Sequence, residues 1–221
     1  VLCTVGFLAI TPRARRFTPS PTSPATLVRI VRGHLRSPEL VAVYLQGALL
    51  MGGFVALYNF VGYRLLDPPF SWTPTAAGLV FLAYLAGTWS SPRAGRLAAR
   101  VGRLPVLVGA TAAMAAGVAL TAVPHPAVLV PALVLVTGAF FAAHAVASAW
   151  SGTAAPTGRA QSTSLYNFAY YAGSSLFGWL GGVFHESYGW PGTVLMVLAL
   201  VLTALASAVV VLRGRGTAPA R

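Results

Sequence analysis

The sequence predicts an all-α, polytopic membrane protein, six transmembrane helices preceded by the end of another, and three observations carry that expectation. Apolar stretches occupy residues 38–63, 74–92, 104–124, 126–150, 162–184 and 191–212, each long enough to cross a hydrocarbon layer of roughly 30 Å. Of 221 residues, 57% are hydrophobic and 8% charged, and the mean hydropathy of +0.74 exceeds what one water-soluble core of this length needs. Finally, arginine is segregated. If every stretch is a crossing, one set of connections holds Arg13, Arg15, Arg16, Arg29, Arg32, Arg36, Arg93, Arg96, Arg100, Arg103, Arg159, Arg213, Arg215 and Arg221, and the other set only Arg64. Loops bearing Arg are hard to translocate and the cytoplasmic leaflet is anionic, so both ends of the six-helix unit are expected to face the cytoplasm.

The elements follow in chain order. Residues 1–10 are apolar but too short to span, lack a basic segment ahead of them and lack a small-residue cleavage site. They read as the end of a truncated transmembrane helix rather than a signal peptide. Residues 11–37 form a cytoplasmic linker, extended where Pro12, Pro19, Pro21 and Pro24 recur. Its second half places Leu27, Val31 and Leu35 on one side and Arg29, Arg32 and Arg36 on another, the pattern of a short amphipathic helix on a membrane surface. A solvated loop is the alternative, and Gly33 weighs toward it. Ser37, Pro38 and Glu39 supply an N-cap, a first-turn proline and a dipole-complementing acid for the first span.

The 38–212 unit is expected to be joined by short non-cytoplasmic turns, 64–73 and Pro124-His125-Pro126, which force antiparallel packing. Tyr63, Trp72, Trp150, Tyr188 and Trp190 lie near helix ends, as interfacial anchors or packing residues. Gly47, Gly52 and Gly53 punctuate the first span, and Gly173, Ser174, Gly178, Gly181 and Gly182 the fifth, allowing close backbone approach. Leu57-Tyr58-Asn59-Phe60 recurs as Leu165-Tyr166-Asn167-Phe168, but at the opposite depth of a helix that an inverted repeat would not pair with the first, so the match reads as coincidence. Residues 213–221 are a cytoplasmic tail.

Polar groups inside spans define the candidate pathway, because they are costly at membrane depth and face protein or a water-filled cavity. The fourth span carries Thr137, Phe141, His144 and Ser148 in one stripe. His144 is the only strongly titratable group well inside a span and could carry a proton or simply hydrogen-bond a neighbouring helix. It lies about 9 Å by helical rise from the cytoplasmic end. Gln46 and Asn59 fall on different faces of the first span, with Asn59 the better placed. Tyr84 and Thr88 on the second, and Asn167, Tyr171 and Ser174 on the fifth, could face a partner. No buried acid is expected, since Glu39, Asp67 and Glu186 lie at helix ends or loops.

Several function classes fall away. A net charge of +12 carried by loops does not make a nucleic-acid face. The fifteen basic residues are all Arg, a bias without mechanism. Cys3 is the single cysteine, so neither an intrachain disulfide nor a cysteine metal site can form. No metal or cofactor is expected. Ser151 near His144 is the one candidate nucleophile pair for an enzyme, without an oxyanion donor.

Between the second and third spans runs Gly95-Arg96-Leu97-Ala98-Ala99-Arg100-Val101-Gly102-Arg103-Leu104-Pro105. It resembles the cytoplasmic loop signature of the major facilitator superfamily, matching at Gly95, Arg100, Gly102 and Arg103 and departing at Ala99, where the family has an acid. The layout of linker and six helices is similar to the second half of such a transporter, two nested inverted repeats of three helices. The stretch 50–59 is similar to bacterial inner-membrane efflux permeases of the sugar or drug type, which implies a place in the bacterial inner (plasma) membrane. The resemblance implies alternating access about a midplane site, proton-coupled antiport of a small drug- or sugar-like molecule, and a partner N-terminal six-helix half that this chain lacks. It also implies that the first and fourth helices line the cavity, the second and fifth meet the other half, and the third and sixth face lipid. The proton-binding carboxylate would then reside in the other half. The competing expectation is a six-helix membrane scaffold or self-assembling half-transporter.

Overall fold

The computed structural model describes residues 4, 6, 7, 10, 11 and 23–213; the expectations for the proline-rich stretch to residue 22, the tail beyond Arg213 and most of the apolar run before residue 11 fall outside that set. The described chain is helical. Helix α1 (Pro24–Arg36) follows Ser23, whose hydroxyl accepts from the Thr26 amide. Helix α2 (Pro38–Leu66) begins as expected, with Ser37 accepting from the Leu40 amide and Glu39 in the first turn. Then come α3 (Pro74–Gly78), a 3-10 turn (Leu79–Ala83), α4 (Tyr84–Val101), α5 (Arg103–Leu120), α6 (Pro126–Ala154) and α7 (Arg159–Val211).

Four of these, α2, α5, α6 and α7, are long and apolar enough to cross a membrane. The count differs from the expected six for two local reasons. The second stretch is divided among α3, the 3-10 turn and α4, whose second half carries Arg93, Arg96 and Arg100. The fifth and sixth stretches form one helical run broken at Gly189, where φ 63° and ψ −156° lie outside the helical region. Residues on both sides of that break meet the same part of α2. Gly52 packs on Gly173 and Phe177, and Gly53 on Val197 and Val201; Tyr44 bonds Ser162, and Gln46 bonds Ala204. The chain therefore reverses at Gly189, and α7 is two antiparallel arms, residues 159–188 and 190–211. The connection expected at 185–190 is helical almost throughout.

Successive passes alternate in direction. Glu39 meets Trp150, Phe54 meets Phe140 and Tyr58 meets Thr137, so α2 and α6 are antiparallel. Ala86 lies beside Gly138, and Arg103 over Trp150. One end of the bundle thus gathers Ser37, the α4–α5 junction at Gly102, the segment 155–158 and Leu212, together with Arg93, Arg96, Arg100, Arg103 and Arg159. The opposite end gathers Asp67, the turn after Leu120 and Gly189, with Arg64 held over the Phe70 ring. Among the described residues, Arg64 and the arginines named at the other end separate by bundle end.

Helix α2 is buried nearly all round, by Leu40, Val43, Leu50, Phe54, Leu57, Val61 and Leu65, which is why its apolar residues show no one-sided stripe. Its closest neighbour is the first arm of α7. A Cβ on Gly173 would overlap the backbone of Ala48, and one on Gly181 would stand 2.9 Å from the Ala56 Cβ. The small residues of the fifth stretch are thus used within this chain, against α2.

Helix α1 is amphipathic, and the loop alternative does not hold. His34 (3% exposed) and Ile30 turn inward, His34 Nε2 donating to the Thr157 carbonyl at 2.9 Å and Ile30 lying against Gly158. Leu27, Val28 and Leu35 remain exposed beside Arg29, Arg32 and Arg36. The helix ties the 155–158 segment to the base of α2 at the basic end.

Candidate functional site

The candidate site is a wall of aromatic rings on α2, α4, α6 and the first arm of α7. Helix α6 is its spine, because a seven-residue spacing returns to the same face. Thr137 and His144 stand in that register, and each receives a tyrosine from a different neighbour. Thr137 Oγ1 donates to the Leu133 carbonyl at 2.7 Å, so the Tyr58 hydroxyl must be the donor across its 2.6 Å contact with Thr137. His144 Nδ1 lies 3.0 Å from the hydroxyl of Tyr166, a residue with no exposed surface. A phenol buried that completely has to find a partner, and His144 supplies it.

Rings fill the space between these two bonds. Phe54 stacks on Phe140 at 4.2 Å, Tyr84 stands edge-on to Phe54, Tyr58 and Phe141 at 5.6, 5.3 and 5.9 Å, and His144 contacts Phe140 and Tyr170 at 5.9 and 4.9 Å. Tyr171 joins edge-on to Tyr170 at 5.1 Å. Gly87 permits the second helix to approach, since a Cβ there would overlap the Phe141 ring. Burial falls outward: Phe54, Tyr58 and Phe140 are covered, His144, Phe141 and Tyr170 are half-buried, and Tyr84, Phe81 and Tyr171 are 38%, 53% and 66% exposed. The wall offers π faces and hydroxyls without a fixed charge, a surface that can stack on an uncharged or weakly polar molecule and hydrogen-bond its edge.

The sequence-predicted residues divide accordingly. His144, Tyr84 and Tyr171 stand at the open side of the wall, and Thr137 is buried behind it. Ser148 is half-buried one turn beyond His144, its carbonyl accepting from Ser151 Oγ; that serine hydroxyl is turned into its own helix, away from the imidazole. Asn167 is exposed and Ser174 half-buried on the first arm of α7, flanking Tyr170 and Tyr171. Asn59 is exposed beside Gly178, at the seam between α2 and that arm. Gln46 is fully buried on another side of α2, its Nε2 donating to the Ala204 carbonyl at 2.9 Å and to Ser207 Oγ at 2.8 Å. It pins the second arm of α7 and does not reach the wall.

Sequence reading passed over Phe54, Tyr58, Phe140, Tyr166 and Tyr170. One signal was on the page: the repeated Leu-Tyr-Asn-Phe, whose two tyrosines, Tyr58 and Tyr166, both deliver a hydroxyl to α6, seven residues apart. Trp150 and Trp190 are packing residues, 0% and 4% exposed, donating to Glu39 Oε1 and the Thr121 carbonyl, both at 2.9 Å. Tyr63 and Tyr188 are exposed at the opposite end, as anchors would be.

The Gly95–Arg103 signature is a helix terminus more than a loop. Helix α4 runs through Val101, so Gly95, Arg96 and Arg100 are helical; only Gly102, with φ 94°, turns the chain before Arg103 opens α5. A positive φ suits glycine there. Arg103 lies 6.0 Å over Trp150, which in turn binds Glu39, so the junction is tied to the starts of α2 and α5 and the end of α6. Ala99, at the position where an acid was sought, is exposed.

Residues 40–221 match the family described as Major Facilitator Superfamily. The chain is 42% identical over 199 residues to the inner membrane transport protein YnfM of Escherichia coli (strain K12), covering 90% of this chain and 48% of that protein. It is 38% identical over 205 residues to YybF of Bacillus subtilis (strain 168), an uncharacterized MFS-type transporter, covering 93% of this chain and 51% of that one. The chain therefore spans about half the length of the curated relatives it matches.

Proposed function

The chain belongs to the Major Facilitator Superfamily, and we propose that it serves as the C-terminal six-helix half of a secondary transporter that works by alternating access. The rest of the transporter would be a set of helices equivalent to the other half of its relatives' length. The six passes would cross the bilayer with both ends of the unit and the basic end of the bundle in the cytoplasm, in an inner membrane like that named for the Escherichia coli relative.

The observation that carries this reading is the one-sided exposure of the aromatic wall. His144, Tyr84, Tyr170 and Tyr171 open toward a side where the first arm of α7 carries exposed apolar residues, Phe168 and Leu176 among them. Helices meeting that side would enclose the wall as one face of a central cavity, and rocking of one half on the other would open it to each side in turn. Rings with hydroxyls and no fixed charge suit a small drug- or sugar-like molecule, and export is the direction the likeness to efflux permeases supports. His144 is the imidazole of the aromatic wall and would be its proton carrier, and its bond to Tyr166 would change on protonation, coupling protonation to the packing of α6 on α7. The carboxylate that proton antiport needs would come from the other half.

The test is flux in vesicles loaded with a pH-sensitive dye and challenged with a panel of neutral sugars and lipophilic drugs. Proton movement is expected when the chain is present with a complementary half and absent with the chain alone. Full flux by the isolated chain would instead support a self-assembling half-transporter and sink the split-half reading.

A further inference from the structure

Away from the aromatic wall, a groove runs between α4 and α5 with α6 as its floor. Around Trp89 it encloses about 470 Å³ among Trp89, Leu97, Val106, Gly109 and Ala142, and it continues along α6 past Leu85 and Val134. It exists because α4 and α5 each pack on α6 and barely on one another. Its side chains are apolar except for Ser90, whose hydroxyl donates to the Gly87 carbonyl at 3.4 Å, and Arg93. Arg93 folds back along α4, Nη1 donating to the Trp89 carbonyl at 3.0 Å and the guanidinium lying 3.8 Å from the centre of the indole ring. One of its five donors is used in that bond, and the side chain is exposed.

None of the chain's acidic side chains neutralises that charge. Its three acids are Glu39, held by Trp150, and Asp67 and Glu186 toward the opposite end of the bundle. Arg96 and Arg100 follow on the same helix and add to the positive field. A largely apolar trough thus ends in an oriented guanidinium with no acidic side chain beside it, on an indole platform, at the basic end of a membrane protein.

We propose that this groove is a binding site for an anionic phospholipid of the leaflet at the basic end, with an acyl chain along α6 and the phosphate on Arg93. Guanidinium and phosphate match in geometry and charge, and indole rings favour the headgroup level. The site also lies on the wrong side of α4 to be covered by helices that close the aromatic wall. Tyr84 and Trp89 are five residues apart, about 140° around the helix. A protein segment seated in the groove would have to bring its own acid, whereas the bilayer supplies anionic headgroups throughout.

The experiment uses the full chain, with any polypeptide it is joined to, in bilayers containing either dibrominated phosphatidylglycerol or dibrominated phosphatidylcholine. The Trp89 contribution to tryptophan emission is the difference between the parent and Trp89→Phe. Per mole of brominated lipid, phosphatidylglycerol is expected to quench that contribution about fivefold more strongly. Arg93→Gln should remove the preference, Arg93→Lys should retain part of it, and Arg159→Gln should leave it unchanged. Emission from buried Trp150 and Trp190 reports that each variant is folded. Equal quenching by the two lipids in the parent protein overturns the proposal, as does a preference that survives Arg93→Gln. Shielding of Trp89 from both lipids overturns it too, because protein would then occupy the groove.

Discussion

At the residue scale the decisive contact is His144 with Tyr166, since it joins the one imidazole inside α6 to a phenol that has no other outlet for its hydroxyl. A purely structural histidine and a proton carrier make different predictions for glutamine, which keeps a hydrogen-bonding group but cannot titrate. On the transport reading, His144→Gln should melt within a few degrees of the parent while proton-driven flux falls by about tenfold or more, the scale on which loss of an acid–base group is felt. Retained coupling with normal stability would assign His144 to packing alone. The glycines give a second residue-scale test. At Gly173 any side chain meets the Ala48 backbone, which cannot rotate aside, whereas Gly62 has nothing within 4 Å of a would-be Cβ. Gly173→Leu should lower stability by about 1–3 kcal/mol or prevent assembly, read as the midpoint of thermal unfolding in detergent, and Gly62→Ala should leave it nearly unchanged. Similar midpoints for the two would mean that α2 and the first arm of α7 do not pack as closely as described.

At the element scale, what sequence made legible was where apolar stretches lie and how far they extend, and what it left illegible was how helices end. The start of α2 could be read because Ser37, Pro38 and Glu39 each act within one turn. The end of α4 could not, because Arg96 and Arg100 look like loop residues when hydropathy is the guide, although long Arg side chains are compatible with a helix that emerges from lipid. The reversal at Gly189 was hidden for the opposite reason: a single backbone conformation replaces a whole loop, and Glu186 and Tyr188 remain helical before it. The aromatic wall was half legible. Thr137, Phe141 and His144 share a stripe on one helix, but Phe54, Tyr58, Tyr166 and Tyr170 reach it from two other helices, and single-helix periodicity carries no information about which faces will meet. Gly189 is itself a test. Its φ 63° and ψ −156° belong to a region that essentially only glycine populates, so Gly189→Ala is expected to cost about 1–3 kcal/mol. The measurement is again thermal unfolding, and an unchanged midpoint would show that the arms of α7 are joined by some other geometry.

At the scale of the whole molecule, bundle direction and charge have to agree, and neither was used to derive the other. Contacts alone make the passes alternate and collect Arg93, Arg96, Arg100, Arg103 and Arg159 at one end, with Arg64 at the other. Because guanidinium groups resist translocation, the basic end is expected in the cytoplasm and the end holding Asp67 and Tyr188 outside. The prediction can be made on exposed positions of both ends, with Cys3 replaced by serine so that each protein carries one thiol. Cysteine at Asp67 or Tyr188 should react with an impermeant maleimide added to intact cells. Cysteine at Arg100 or Arg159 should react at least about tenfold more slowly until the membrane is permeabilised. The pairing matters more than any single rate: Tyr188 and Arg159 belong to the same helical run, separated by one pass, so opposite labelling of these two requires that arm to cross the bilayer. If both labelled alike from outside, the first arm of α7 would not be a crossing. The aromatic wall would then have no membrane depth at which to meet a second half, and the transport reading would lose its geometry along with its topology.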